Sequence, residues 1–138
     1  ADDAYVHTEA FGGDDLRLRL HRRPFKYRGL DCPSMTLNAL PDIDPDPETV
    51  ETAELAVEED VLVKLFALGP DSAFDPHVHD DCENVFHLLE GEVVITQGET
   101  RETISAPAVI HNPRGVEHGA KNDSEDRALL TASLCPLP

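Results

Sequence analysis

Pro76-His-Val-His-Asp-Asp-Cys-Glu-Asn-Val-Phe-His-Leu-Leu-Glu-Gly-Glu-Val-Val-Ile-Thr96 is the stretch from which the rest of the chain is read. Its first part sets His77 and His79 one strand period apart, so on an extended backbone both imidazoles leave the same face. Its second part holds two short apolar runs, 85–89 and 93–96, separated by the turn signal Glu90-Gly91-Glu92. Further along, Pro113-Arg-Gly-Val-Glu-His118 supplies a third histidine just after a Pro-x-Gly turn. A neighbouring strand can then carry that ring to the first two. Neutral imidazoles bind most divalent first-row metals, and a nearby carboxylate would complete a mixed nitrogen and oxygen set.

The same rhythm of short apolar runs extends over residues 61–68, 74–78, 103–105, 108–110 and 128–134. Turn signals separate them at Gly69-Pro70, Gln97-Gly98-Glu99 and Pro113-Arg-Gly115. With no convincing amphipathic helix, this predicts an all-β sandwich or barrel. Upstream, Leu16-Arg-Leu-Arg-Leu20 alternates as a half-exposed strand does. Pro41-Asp-Ile-Asp-Pro-Asp-Pro47 reads as an extended linker or surface loop. Residues 49–57 fit either a short helix or an edge strand.

Composition bounds the function. At 138 residues the chain is long enough for one core. The formal charge of −17, from 28 acidic against 11 basic residues, repels phosphate backbones and argues against nucleic-acid binding. It also suits a salt-adapted, halophilic protein, in which screening removes self-repulsion. No run of about 18 apolar residues is present, so no membrane span is expected. Cys32, Cys82 and Cys135 are odd in number and irregularly spaced, unlike a disulfide framework, and the cytoplasm is the expected compartment. Arg17, Arg19, Arg22, Arg23, Lys26 and Arg28 concentrate the basic charge. They read as a solvated or subunit-facing strand, or alternatively as a rim attracting an anionic substrate.

Taken together, the two histidine segments resemble the cupin family, whose first block runs Gly, His-x-His, three or four residues, Glu, six residues, Gly. Here it is represented by Gly69, His77, His79 and the Leu88-Leu-Glu-Gly-Glu92 turn. The second block ends Pro-x-Gly-x2-His-x3-Asn and is matched by Pro113, Gly115, His118 and Asn122, with Pro107 where the family usually has Gly. The resemblance covers residues 61–134. It implies an all-β double-stranded β-helix, the jelly-roll barrel of a small single-domain cupin, over residues 56–138, with an N-terminal extension over 1–55. It also implies a metal in the barrel mouth.

The family's carboxylate is where the chain departs from the pattern. Glu83 follows His79 after three residues, but counting back from Gly91 lands on Asn84. A one-residue shift along a strand turns a side chain to the opposite face. The expected ligand set is His77, His79, Glu83 and His118, with a bulge in Asp80-Asp-Cys82 absorbing the extra residue. Failing that, Asn84 faces the metal, and three imidazoles without a carboxylate shift the preference toward zinc, copper or nickel. The same register decides whether His87 faces in or out. His111 reads as barrel mouth or outer face, Cys82 as a small buried apolar residue, and Arg114 as an exposed turn residue. Phe66, Phe74 and Phe86 read as core or pocket wall.

By this resemblance the chain is expected to be a metal-dependent enzyme acting on a small oxygen-rich molecule, foremost an Fe(II) dioxygenase. Zinc, nickel, manganese or copper are the other candidate divalent ions. A non-redox isomerase, lyase or cyclase is the first alternative, and a non-catalytic small-molecule or sugar-binding cupin the second. Cupins of this size commonly dimerise through N-terminal strands, so a homodimer is expected.

Overall fold

The computed structural model describes residues 39–137 and the backbone of one strand pair nearer the N-terminus, β1 (Val6–His7) and β2 (Arg19–Leu20), which run antiparallel. The expectations placed on the 16–20 strand, the basic stretch and Cys32 otherwise lie outside the described residues. The chain forms two units, Ala1–Asn38 and Ala39–Pro138. The second begins well before the expected boundary at residue 56, because residues 50–57 are a strand that belongs to its sheet.

That second unit is all-β among its described residues. One sheet has five strands in the order β3 (Val50–Val57), β4 (Leu62–Leu68), β11 (Ala128–Cys135), β6 (Glu83–Glu90) and β9 (Ala108–Asn112). The other has four, in the order β5 (Ala73–His77), β10 (His118–Lys121), β7 (Glu92–Gln97) and β8 (Thr100–Ser105). Every neighbouring pair is antiparallel. This is the double-stranded β-helix expected from the sequence.

Alternation explains which side chains fill the space between the sheets. Along β6, Asn84, Phe86 and Leu88 are buried while His87 is exposed, and along β7 Val93 and Ile95 are buried. Leu68, Leu130 and Ala132 from the first sheet meet Val93, Ile95 and Ala120 from the second in one apolar cluster. Burying such side chains contributes about 1.5–3 kcal/mol for each large one.

Both ends of this core are closed by specific contacts. The proline- and aspartate-rich loop around 41–47 is docked rather than free. Arg127 donates to the Asp42 carboxylate at 2.9 Å, the Ile43 carbonyl at 2.8 Å and the Glu90 carboxylate at 3.0 Å. Gly69 is required there, since a Cβ would stand 2.2 Å from the Asp46 carbonyl oxygen. At the other end the Pro113–Val116 turn, with Gly115 at φ 73°, is closed by the Val116 N–H on the Pro113 carbonyl. No described helix is long and apolar enough to cross a membrane.

Candidate metal centre

Registers place the three histidines without further assumption. β10 lies between β5 and β7, and His118 is the cross-strand partner of His77 on one side and Gln97 on the other. Residues in one such row point to the same face. His118, followed by buried Ala120 on the same face, points inward. His79 follows just beyond β5, and its carbonyl accepts the Gly115 N–H at 2.9 Å. The two histidine segments are therefore stitched together by backbone. The Gly98 N–H, donating to the Glu117 carbonyl at 2.8 Å, fixes the approach to His118 from the other side.

One nitrogen from each of His77, His79 and His118 lies within 4.8 Å of the others, and among the described residues no Asp, Glu or Cys joins them. The ring centroids lie 4.7 Å (His77–His118), 4.8 Å (His77–His79) and 5.4 Å (His79–His118) apart, with the rings tilted or edge-on to one another. Phe86 lies against His118 at 5.8 Å, and Phe74 lies against His77 at 6.1 Å, giving the cluster an apolar floor.

Hydrogen bonds set the rings for coordination. His118 Nδ1 donates to the Val116 carbonyl at 2.9 Å and His77 Nδ1 to the Asp75 carbonyl at 3.0 Å. In both rings Nε2 is then the unprotonated nitrogen, the arrangement by which outer partners orient metal-binding imidazoles. Burial lowers the pKa of His79 below its ordinary 6.5, and the neighbouring His77 lowers it further. Burial likewise lowers that of His118, against the opposing Val116 hydrogen bond, with His77 and His79 adding to the effect. Neutral rings are the form a metal needs. The donor set thus fits a divalent cation.

The carboxylate expectation is corrected by the register. β6 begins at Glu83 and pairs with β9 in unbroken register from Asn84 to Leu88. Asn84 is the inward residue, only 2% exposed, and its Nδ2 donates to His118 Nε2 at 2.9 Å. Glu83 instead reaches His111 Nε2 at 2.8 Å and Arg114 Nε at 3.4 Å on the outer side. His87 accordingly faces out. Cys82 is buried away from the histidines, where burial pushes its thiol pKa up, the form of an inert apolar residue rather than a ligand.

Two residues of the site carry no motif. Asn112 is the cross-strand partner of Asn84 and is fully buried. Gln97 Nε2 donates to Asn112 Oδ1 at 3.0 Å and to the His111 carbonyl at 2.7 Å. Asn84, Asn112, Gln97 and His118 therefore join the two sheets by a ring of polar contacts. Within it, Asn84 Oδ1 and Asn112 Nδ2 are buried without a hydrogen-bond partner. The signal for Asn84 is visible in the sequence, since it also follows His79 after four residues, a spacing the family allows.

A β-barrel of this topology with imidazoles converging in its mouth defines a class, and sequence comparison agrees: the cupin domain matches residues 64–134. The chain belongs to the cupin family. It is similar to the protein TT1209 from Thermus thermophilus, with 34% identity over 67% of this chain and 89% of that one, TM-score 0.64. It shares its fold with a predicted oxalate decarboxylase from Thermotoga maritima, at 24% identity over 64% of this chain and 81% of that one, TM-score 0.61. KdgF from a Halomonas species likewise shares the fold, at 16% identity over 64% of this chain and 80% of that one, TM-score 0.61. No curated protein matches the chain.

Proposed function

We propose that this cupin is a divalent-metal enzyme in which His77, His79 and His118 hold the ion and a small oxygen-rich substrate takes the remaining positions. The observation that carries the reading is the convergence of three imidazole nitrogens within 4.8 Å, with Nε2 of His77 and His118 left unprotonated by the Nδ1 contacts. Three protein donors leave coordination open, as catalytic rather than structural sites do. The ion supplies Lewis-acid polarisation of a bound carbonyl or hydroxyl oxygen. The chain supplies orientation, through Asn84 and Asn112, and exclusion of water, through Phe74 and Phe86.

The donor set also bears on which reaction. Two histidines with a carboxylate are the usual Fe(II) oxygenase arrangement, whereas imidazoles alone suit zinc, copper and nickel as well as iron. With Glu83 turned outward, the dioxygenase reading loses the donor it leaned on. A non-redox isomerase, lyase or cyclase reaction becomes the better supported one.

Elemental analysis of protein purified without added metal, paired with His118→Ala, tests this. About one equivalent of zinc, nickel or another divalent ion is expected, falling at least a hundredfold in affinity in the variant. Occupancy that survives His118→Ala would overturn the site. Iron with substrate-dependent oxygen consumption would restore the dioxygenase.

A further inference from the structure

We infer that Cys82 and Cys135 form a reversible disulfide, a modification site on the outer side of the five-stranded sheet that reacts with low-molecular-weight disulfides. The inference does not depend on the metal reading above. Its first ground is register. Both cysteines are free thiols. Cys135, the last residue of β11, is the cross-strand partner of Glu83, the first of β6, and Cys82 immediately precedes Glu83. Partners in an antiparallel pair stand about 4.5–5.5 Å apart at Cα, and one residue adds about 3.3 Å along the strand. Extending the ladder one step sets the two cysteine Cα atoms about 6 Å apart, inside the span of about 4.4–6.8 Å that a disulfide bridges.

The second ground is the side on which the sulfurs lie. Cys135 shares a face with Glu83, since cross-strand partners point the same way, and Glu83 meets His111 and Arg114 on the outer side. Cys82 stands in the bend before the first residue of β6, so strand alternation does not govern its direction. Burial pushes its thiol pKa up, and the groups whose charge bears on it are Arg114, Asp81, Cys135 and Glu83, with no histidine among them. The two thiols share one neighbourhood, apart from the imidazole cluster.

Their exposure assigns their roles. Cys135 is exposed and Cys82 is only 1% exposed, so Cys82 does not meet the oxidant directly. The Cys135 thiolate attacks one sulfur of the small disulfide, forming a mixed disulfide and releasing one small thiolate. The Cys82 sulfur, its proton lost, then attacks the Cys135 sulfur, and the second small thiolate leaves. The two cysteine protons end on the two small thiols. The protein is oxidised by two electrons and the small disulfide is reduced by two. Arg114, whose charge favours the Cys82 thiolate against burial, assists the second attack. The bond pins the segment that follows His79 to the end of β11.

Glutathione serves as the probe on the full chain. The protein is equilibrated with mixtures of its reduced and oxidised forms, blocked with N-ethylmaleimide, digested, and mapped by mass spectrometry without reduction. A peptide joining Cys82 to Cys135 within one chain is expected, preceded in time by a glutathione adduct on Cys135, and dithiothreitol should reverse both. In Cys82→Ala the adduct should persist at about five times its level in the unmodified protein, because nothing displaces it. The oxidised protein should unfold at higher urea than the reduced one, since a cross-link restricts the unfolded chain, and Cys135→Ser should erase that shift. A Cys135 adduct that persists in the unmodified protein, while Cys82 reacts with N-ethylmaleimide only after unfolding, overturns the inference. So does a linkage of either cysteine to Cys32, or a Cys82–Cys135 bond found only between chains.

Discussion

Two buried asparagines at opposite ends of one strand region have opposite fates. Asn122, just past β10, is fully buried and every polar atom of its side chain is used. Its Nδ2 lies within hydrogen-bond distance of the Leu68, Gly69 and Asp126 carbonyls, and its Oδ1 accepts from the N–H and hydroxyl of Ser124. Asn84, at the start of β6 beside His118, keeps one atom unpartnered, and so does its cross-strand neighbour Asn112. Buried polar groups are nearly always satisfied, because each orphan costs about 1–3 kcal/mol. One end of the barrel is thus finished by its own side chains, and the other keeps two buried amide atoms without a protein partner.

The most damaging way to break this comparison is at the finished end. Asn122→Ala removes a donor shared by the Leu68, Gly69 and Asp126 carbonyls and the acceptor of the Ser124 N–H at once. About 3 kcal/mol should be lost in urea denaturation, and the folded fraction should keep its metal uptake. A loss below about 1 kcal/mol would mean that the ties around Asn122 do not hold β4 to the β10–β11 connection.

Acid tests the open end next. The pKa values of His79 and His118 lie below the ordinary 6.5, so between that value and their folded ones the unfolded chain binds more protons. Stability of the metal-free protein should therefore fall as pH drops through 6.5, with no contribution from these rings above it. Relief of the −17 charge acts in the opposite sense. The measurement is consequently the difference in denaturation free energy between the unmodified protein and His79→Asn at pH 7 and pH 5. A difference that does not shrink toward low pH contradicts the neutral, desolvated rings.

Asn84→Leu should then show how little the open end gives to folding. It removes one good contact, to His118, and one orphaned oxygen, with little change of volume. The orphaned Oδ1 is removed while the buried His118 Nε2 loses its donor, so the two nearly offset and a change within about 1 kcal/mol is expected. A cost approaching that of Asn122→Ala would erase the contrast.

How much of this was legible beforehand follows from the periods involved. The strands 61–68, 85–89 and 128–134 stand within two residues of β4, β6 and β11, since period-two alternation and glycine turns are local signals. β10 escaped because His118-Gly-Ala-Lys121 has no apolar run, although it carries the third histidine. Residues 49–57 were ambiguous alone, and pairing with β4 decided them as a strand. The histidines were legible from their spacing. Asn84 against Glu83 was not, because both spacings from His79 are allowed and only pairing fixes the face. Asn112 and Gln97 reach the site purely by cross-strand register.

The smallest effect concerns a residue near the finished end. Ser72 N–H bonds the Gly69 carbonyl across Pro70 and Asp71, and Asp71 adopts φ 57°. Proline second and a positive φ third is the pattern of a type II turn, whose third position glycine occupies most easily. Aspartate tolerates the left-handed region better than most residues, which limits the strain to be relieved. Glycine would remove it but also loosen the unfolded chain, and the two effects nearly cancel. Asp71→Gly should therefore stabilise by a few tenths of a kcal/mol at most, whereas Asp71→Val, branched at Cβ, should cost about 1 kcal/mol or more. Metal affinity should be unchanged in both, because the turn touches Asn122, through its N–H on the Ser72 carbonyl, and not the histidines. Altered metal uptake in either variant would show that the two ends are coupled through β10 and that the finished end also tunes the open one.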